Sequence, residues 1–102
     1  MKPVTFHTEA EAELRGGLNY YEDHQPGLGG VLLREFESAL KRLCENPLAF
    51  AIEEDVGVRY CPLHQFPISI VYVELEERIW IVAIAHQHRR PLYWAKRKSE
   101  LK

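Results

Sequence analysis

The spacing of apolar residues changes near the middle of the chain and divides it into a helical part and a strand-rich part. Up to Pro47, apolar residues recur every three or four positions, as they do on one face of an α-helix. After Pro47 they alternate with polar residues or form short apolar runs, which is typical of β-strands. We therefore predict an α+β fold in which a pair of helices packs on one face of a small sheet.

Two helices are predicted before Pro47, after a short first strand at residues 3–7. The first helix should start at Thr8, because Thr followed three residues later by Glu11 matches a capping box. Within it, Gly16-Gly17 predicts either a bend or a close contact with another backbone, because glycine is a poor helix former. HQPGLGG then predicts a turn, and the second helix should lie antiparallel to the first. The apolar stripes of the two helices are Ala10, Leu14, Leu18 and Tyr21, and Leu28, Leu32, Phe36, Leu40 and Leu43.

The segments after Pro47 predict a three- to four-stranded antiparallel meander. They are AFAIEE (an irregular or edge strand), VRYCPL, PISIVYVEL and RIWIVAIAH. The last is the most apolar and is predicted to be the central strand, buried on both faces. RPLYWAKRKSELK allows a short terminal helix or an ordered tail. We expect the sheet face away from the helices to be partly open and to carry a functional site.

Length and composition indicate a single domain over residues 1–102. Apolar residues are 46% of the chain and charged residues 27%, which is ordinary for a globular protein. No stretch is long and apolar enough for a transmembrane span, and no signal-peptide pattern opens the chain. Cys44 and Cys61 fit buried, reduced thiols better than a disulfide. We therefore expect a cytoplasmic protein with no membrane partner.

The formal net charge of −2 conceals an asymmetry along the chain. Residues 1–58 hold five Lys/Arg and eleven Asp/Glu, whereas residues 86–102 hold six Lys/Arg and a single Glu. A basic end can bind an anionic partner, either nucleic acid or an acidic protein segment. The whole chain lacks the positive charge of a strong non-specific nucleic-acid binder.

Several segments in order resemble the RelE/ParE superfamily, the toxins of bacterial type II toxin–antitoxin modules, also called plasmid stabilisation proteins. They are the first strand with EAEAEL, YYEDHQPGLG, the helix ending in ENPLAF, the strand with Val58-Arg59, QFPISIVY, and IAHQHRRPLYWAKR. The segments span nearly the whole chain. YYE-PGLG and the His-x-x-Arg-x-Pro-x-x-Trp ending are more similar to ParE than to RelE, while Gly16-Gly17 departs from the helix formers expected there.

This resemblance implies a growth inhibitor held silent by a cognate antitoxin, with two alternative targets. ParE-like members bind and poison DNA gyrase without chemistry of their own. RelE-like members cleave messenger RNA on the ribosome. A third alternative is a degenerate member that binds a partner but is no longer toxic. The acidic balance of the chain favours the gyrase hypothesis, because a protein entering the ribosome is surrounded by RNA phosphates.

Cleavage of RNA without a metal would need a base, a cation beside the phosphate and an acid. Under the ribonuclease alternative the candidate catalytic residues are Arg59, His86, Arg89 and Tyr93. Structural roles compete with this interpretation. His86 can cap a strand end, Arg59 can pair across the sheet, and Tyr93 can pack the tail on the core.

Metal and cofactor sites are not predicted. His86 and His88 lie two residues apart and would share a strand face, but no third ligand stands at a suitable spacing. We expect no metal and no cofactor.

Binding to the antitoxin or the target is the broader functional prediction. An antitoxin segment would place apolar anchors in a groove and acidic residues on the basic end. The candidates are Tyr72, Trp80, Arg89, Arg90, Trp94, Lys96 and Arg97. For Trp80 the competing interpretation is a core residue. The sequence leaves open whether the chain forms a homodimer.

Overall fold

Five strands form a single sheet that joins the two halves of the chain. The computed structural model describes residues 2–100. Its elements are β1 (Val4–Phe6), α1 (Thr8–His24), α2 (Leu28–Glu45), β2 (Ile52–Glu53), β3 (Val58–Pro62), β4 (Ile68–Glu74), β5 (Ile79–His86) and α3 (Ala95–Lys98). The predicted α+β fold, with a first strand, a helical hairpin and a meander, is confirmed.

The strands lie in the order β1-β5-β4-β3-β2. From β2 to β5 each strand pairs antiparallel with the next, which gives the predicted meander. β1 pairs in parallel with β5, so that Val4 lies opposite Ile79 and Phe6 opposite Ile81. The prediction that β5 is the central strand is wrong, because β4 holds the middle position. β5 is nevertheless buried on both faces over most of its length.

The helical hairpin covers one face of the sheet and forms the larger core with it. Leu32, Phe36 and Leu43 from α2 pack with β-strand residues such as Ile70 and Ile81 in this core. Alternation along the strands sends these side chains to the helical face. The apolar stripes predicted from the sequence therefore account for this layer.

α1 begins one residue earlier than a Thr8 cap would require. His7 is the N-cap: its backbone is extended and its Nδ1 accepts a hydrogen bond from the Glu9 N–H at 3.0 Å. Thr8 already lies inside the helix, so the capping box predicted for Thr8 and Glu11 is wrong. A His ring nitrogen here supplies the acceptor that Ser, Thr or Asp usually gives.

The glycine pair Gly16-Gly17 neither breaks α1 nor touches another backbone. The helix is continuous from Thr8 to His24, and a Cβ built on Gly16 would meet no atom within 4 Å. The close approach of the two helices is at Gly29, where a Cβ would lie 2.8 Å from the Leu18 carbonyl oxygen. The backbone contact expected at Gly16-Gly17 is therefore wrong, and the helix continues through the pair.

The second sheet face is covered by the C-terminal segment, residues 90–100. Trp94 is 2% exposed and packs in a second core with Val58, Val71 and Val82. Its ring also lies edge-on to Tyr60, with centroids 6.0 Å apart. The face that we expected to be partly open is therefore covered at its centre, because the tail folds back over it.

Within residues 2–100, no helix combines the length and the apolar character that crossing a membrane requires.

Candidate functional site

Side chains from α1 and α3 complete one edge of β5. β1 ends opposite Ile81, and β5 continues past it. Beyond that point the Ile84 N–H donates to Glu13 Oε1 at 3.0 Å, and the Val82 carbonyl accepts from Arg97 Nη1 at 3.2 Å. Backbone groups that a strand would otherwise pair are thus satisfied by a carboxylate and a guanidinium.

Glu13 and Arg97 form a bidentate ion pair that is largely shielded from solvent. Both nitrogen–oxygen distances are 2.9 Å, and the two side chains are 14% and 13% exposed. The hydrogen bond to Glu13 raises the pKa of the Arg97 guanidinium. Such fork-to-fork pairing fixes both side chains in orientation as well as in charge.

Tyr93 donates its hydroxyl to the same carboxylate, at 2.8 Å from Glu13 Oε2. Burial, together with the hydrogen bond to Glu13, raises the pKa of the Tyr93 hydroxyl well above its ordinary value. Tyr93 therefore keeps its proton at neutral pH and holds it towards Glu13.

Arg89 lies over the face of the Tyr93 ring, with its guanidinium carbon 3.9 Å from the ring centroid. Its Nη1 is 3.9 Å from Glu13 Oε2, which is too long for a hydrogen bond. The side chain is 55% exposed. Arg89 is therefore held in place by stacking, and its donors remain available to an anion.

His86 ends β5 and is turned towards His88. Its Nδ1 accepts a hydrogen bond from the His88 N–H at 3.2 Å, and the two rings stack with centroids 4.8 Å apart. Burial and the charge of His88 lower the pKa of His86. The ring is thus neutral at pH 7, and with Nδ1 accepting, the proton sits on Nε2.

His86, Arg89 and Tyr93 meet at one cavity of about 370 Å³ between α1 and the end of β5. Its walls are mainly apolar, and they include Leu14, Tyr21, Leu32, Phe36, Leu63, Ile68 and Ile84. Gly16 and Gly17 form part of the α1 side. Three of the four candidate catalytic residues are therefore brought together, and the structure places them at a largely apolar opening.

Arg59, the fourth candidate, lies elsewhere. It stands opposite Tyr72, whereas His86 stands opposite Ile68 on the same strand. Four residues along a strand separate the two positions by about 13 Å. Arg59 Nη1 donates to the carbonyls of Leu48 and Phe50, at 3.3 and 2.7 Å. It fastens the loop after α2 to the sheet, which corrects its assignment to a phosphate site with His86.

Three residues predicted to receive a partner are core residues in the chain. Tyr72 is fully buried and donates its hydroxyl to the Pro47 carbonyl at 2.6 Å. Trp80 and Trp94 are 6% and 2% exposed and pack in the second core. Their burial agrees with the competing interpretation of Trp80 as a core residue and leaves almost no surface of the three exposed, so their role in partner binding stays a prediction.

The basic candidates divide into two groups. Arg89, Arg90 and Lys96 are exposed. Arg97 is committed to Glu13 and to the Val82 carbonyl. Among these four candidates, the exposed positive charge is therefore carried by Arg89, Arg90 and Lys96.

Glu13 is the residue of this site that the sequence analysis did not single out. It lies three residues after Ala10 and four before Gly17, so it belongs to the inward side of α1. A carboxylate on the buried side of a helix needs a partner. That position is the signal that could have identified it.

Among residues 2–100, no three His, Cys, Asp or Glu side chains are grouped closely enough to hold a metal ion.

The chain is similar to a known protein family and to a solved structure. A family model described as the ParE toxin of the type II toxin–antitoxin system parDE matches residues 4–91. A solved structure titled as a chromosomal ParDE toxin–antitoxin system from P. aeruginosa is similar, with a TM-score of 0.72 and 21% identity. The match covers 84% of this chain and 96% of that chain. No curated protein matches.

The structural similarity supports the fold alone, because the two sequences differ at most positions. The family match rests on the sequence itself and extends from β1 to the turn after β5. It covers well over half of the 102 residues. This chain belongs to the ParE toxin family of type II toxin–antitoxin systems.

Proposed function

We propose that this chain arrests growth by binding DNA gyrase, without chemistry of its own, and that a cognate antitoxin neutralises it. The observation that carries the non-enzymatic part is the state of the candidate catalytic groups. Arg59 bonds to two carbonyls far from His86, and Tyr93 holds its proton towards Glu13. A base, a cation and an acid are therefore not assembled around one phosphate position.

The endoribonuclease alternative rests on a narrower observation. His86 and Arg89 line one cavity, and a neutral imidazole beside a guanidinium is a usable base and cation. The Tyr93 hydroxyl donates its proton to Glu13, so Tyr93 does not supply the acid that cleavage would need. We therefore rank this function second.

Substitution of the candidate acid and base separates the two functions. The chain would be induced in bacteria without its antitoxin, and growth, plasmid supercoiling and message integrity would be followed. We expect His86→Ala and Tyr93→Phe to remain toxic, with relaxed or cleaved DNA and intact messages. Loss of toxicity in a folded His86→Ala chain, together with loss of cuts in translated messages, would establish the ribonuclease. Normal growth with the unsubstituted chain would favour the degenerate, non-toxic alternative.

Antitoxin binding is proposed to use the exposed positive charge of Arg89, Arg90 and Lys96. An acidic segment of an antitoxin would be drawn to these residues, and the attraction would weaken as salt is added. We expect Arg90→Glu with Lys96→Glu to slow association at low salt by about tenfold or more. Arg34→Glu with Lys41→Glu, which reverses two exposed charges on α2, is the matched control. Equal association rates for the two variants would refute this placement.

Both targets are cytoplasmic, and we propose that the chain acts there.

A further inference from the structure

The cavity beside α1 has the form of a small-molecule site. It is a partly open pocket of about 370 Å³, within the range of ligand sites, and corresponds to about a dozen water molecules. Residues of α1, α2, β4 and β5 line it, together with Leu63, Arg89 and Tyr93 from the segments after β3 and β5. A mainly apolar pocket of this size favours an apolar ligand group over bulk water.

The space exists because α1 carries no side chain at two successive positions. A Cβ at Gly16 would meet nothing within 4 Å, and one at Gly17 would reach only Leu32 Cδ2, at 3.6 Å. Leu32, Phe36 and Ile84 of the larger core form walls around this space. The opening is therefore a local gap in an otherwise packed layer.

The polar groups at the cavity are asymmetric in charge. Glu13 is neutralised by Arg97, and its oxygens accept from Tyr93, Arg97 and the Ile84 N–H. Arg89 forms no hydrogen bond to Glu13, because the separation is 3.9 Å. A ligand would thus meet a half-exposed guanidinium that forms an ion pair but no hydrogen bond with Glu13, and a carboxylate whose oxygens already accept hydrogen bonds.

We propose that this cavity binds a small amphipathic monocarboxylate, with its apolar part along Gly16-Gly17 and its carboxylate facing Arg89. Arg matches a carboxylate in bidentate geometry, and stacking on Tyr93 already fixes its plane. The His86 Nε2–H is a second donor at the same cavity. An eight-carbon acid has about the size that the volume allows.

Octanoate is the probe, and its uncharged analogue octanol is the comparison. Titration of the full chain would be followed by ¹H–¹⁵N NMR, in which the Gly16 and Gly17 amides report on the cavity wall. We expect octanoate to shift these amides and that of Ile84 with a sub-millimolar Kd, as befits a ligand of this size. No shift at several millimolar octanoate, or shifts confined to another surface, would overturn the proposal.

Filling the cavity tests the location. In Gly17→Leu, the Cβ lies at an ordinary contact distance from Leu32 and the rest of the side chain enters the cavity. We expect octanoate affinity to fall by about tenfold or more. Ala12→Leu adds the same side chain to an exposed position of α1 and should bind as the unsubstituted chain does. Equal affinity of Gly17→Leu and Ala12→Leu would overturn the location.

Removing the cation tests the ligand class and does not depend on the packing of the cavity. We expect Arg89→Gln to weaken octanoate by about tenfold and to leave octanol unchanged. If octanoate and octanol bind equally well and neither responds to Arg89→Gln, the cavity receives an uncharged apolar group, such as a partner's side chain. That result would overturn the carboxylate assignment. The binding is measured on the free chain, so failure of the gyrase hypothesis would leave this result untouched.

Discussion

Glu13 joins three parts of the molecule through one carboxylate. It lies on α1, accepts from the backbone of β5 at Ile84, and pairs with Arg97 and Tyr93 of the C-terminal segment. Breaking a buried pair by removing one partner leaves the other charge uncompensated. Glu13 is therefore expected to stabilise the fold and to set the position of Tyr93, on which Arg89 stacks.

Glu13→Ala should lower the free energy of unfolding by about 3 kcal/mol, because Arg97 would be left without its counter-charge in a shielded position. Glu11→Ala removes an exposed carboxylate from the same helix and should change stability by about 0.5 kcal/mol or less. Urea unfolding of the two variants measures the difference. Similar losses of stability in both variants would mean that the bonds of Glu13 to Ile84, Tyr93 and Arg97 do not stabilise the fold.

Tyr72 predicts a loss of stability at alkaline pH. Burial raises its pKa from 10 to about 12, and its hydroxyl donates to Pro47. Between these values the unfolded chain releases a proton that the folded chain keeps, so stability falls as pH rises. Two units correspond to roughly 2–3 kcal/mol, and this loss continues until pH passes about 12.

Tyr72→Phe should be less stable than the unsubstituted chain near pH 8, because the bond to Pro47 is lost. Its stability should then decline less between pH 10 and 12, so that the gap closes. Tyr20→Phe, at an exposed ring, serves as the control. Urea midpoints measured across this range test the effect, and parallel pH profiles for Tyr72→Phe and the unsubstituted chain would contradict it.

At the scale of elements, the helical hairpin depends on the absence of a side chain at Gly29 but has room for one at Gly16. A Cβ at Gly29 would lie 2.8 Å from the Leu18 carbonyl and 3.0 Å from Glu22 Oε1, so the helices could not keep their present distance. Gly16 lies in open space on a continuous helix. A glycine-to-alanine substitution should therefore lower the stability at Gly29 and raise it at Gly16.

Gly29→Ala should destabilise the protein by about 1–3 kcal/mol through overpacking. Gly16→Ala should stabilise it by about 0.5–1 kcal/mol, because alanine is the better helix former. Thermal unfolding of Gly29→Ala and Gly16→Ala measures the two changes in stability. Two shifts of the same sign would mean that the helix contact is not at Gly29.

The elements themselves were largely predictable, because burial imposes a period of 3.6 on helices and 2 on strands. Contacts between distant positions were not. Glu13 and Arg97 are 84 residues apart, and no local pattern indicates that they pair. The same holds for the parallel pairing of β1 and for the C-terminal segment on the second face.

The site residues, too, were predictable where they lie close along the chain and not where they lie far apart. His86, Arg89 and Tyr93 are close along the chain, and the end of β5 brings them to one cavity. Arg59 was grouped with them on residue type alone, but strand register places it at the loop after α2. Tyr72, Trp80 and Trp94 were predicted to receive an antitoxin segment in a groove, whereas packing against the two sheet faces buries them.

At the scale of the whole molecule, acidic and basic residues are concentrated in different parts of the chain. The helical hairpin carries most of the acidic residues, whereas Arg89, Arg90 and Lys96 are exposed basic residues of the C-terminal part. A molecule with this balance is poorly suited to long-range attraction to RNA. Its basic end is suited to a local contact with an acidic protein surface.

The central claim is that the chain acts on DNA gyrase by binding, and a supercoiling assay with purified gyrase and the antitoxin-free chain tests it most directly. Inhibition should appear with the unsubstituted chain and persist in His86→Ala. Adding the antitoxin should abolish it. Unimpaired supercoiling at a concentration of chain that cuts ribosome-bound messages would contradict the claim.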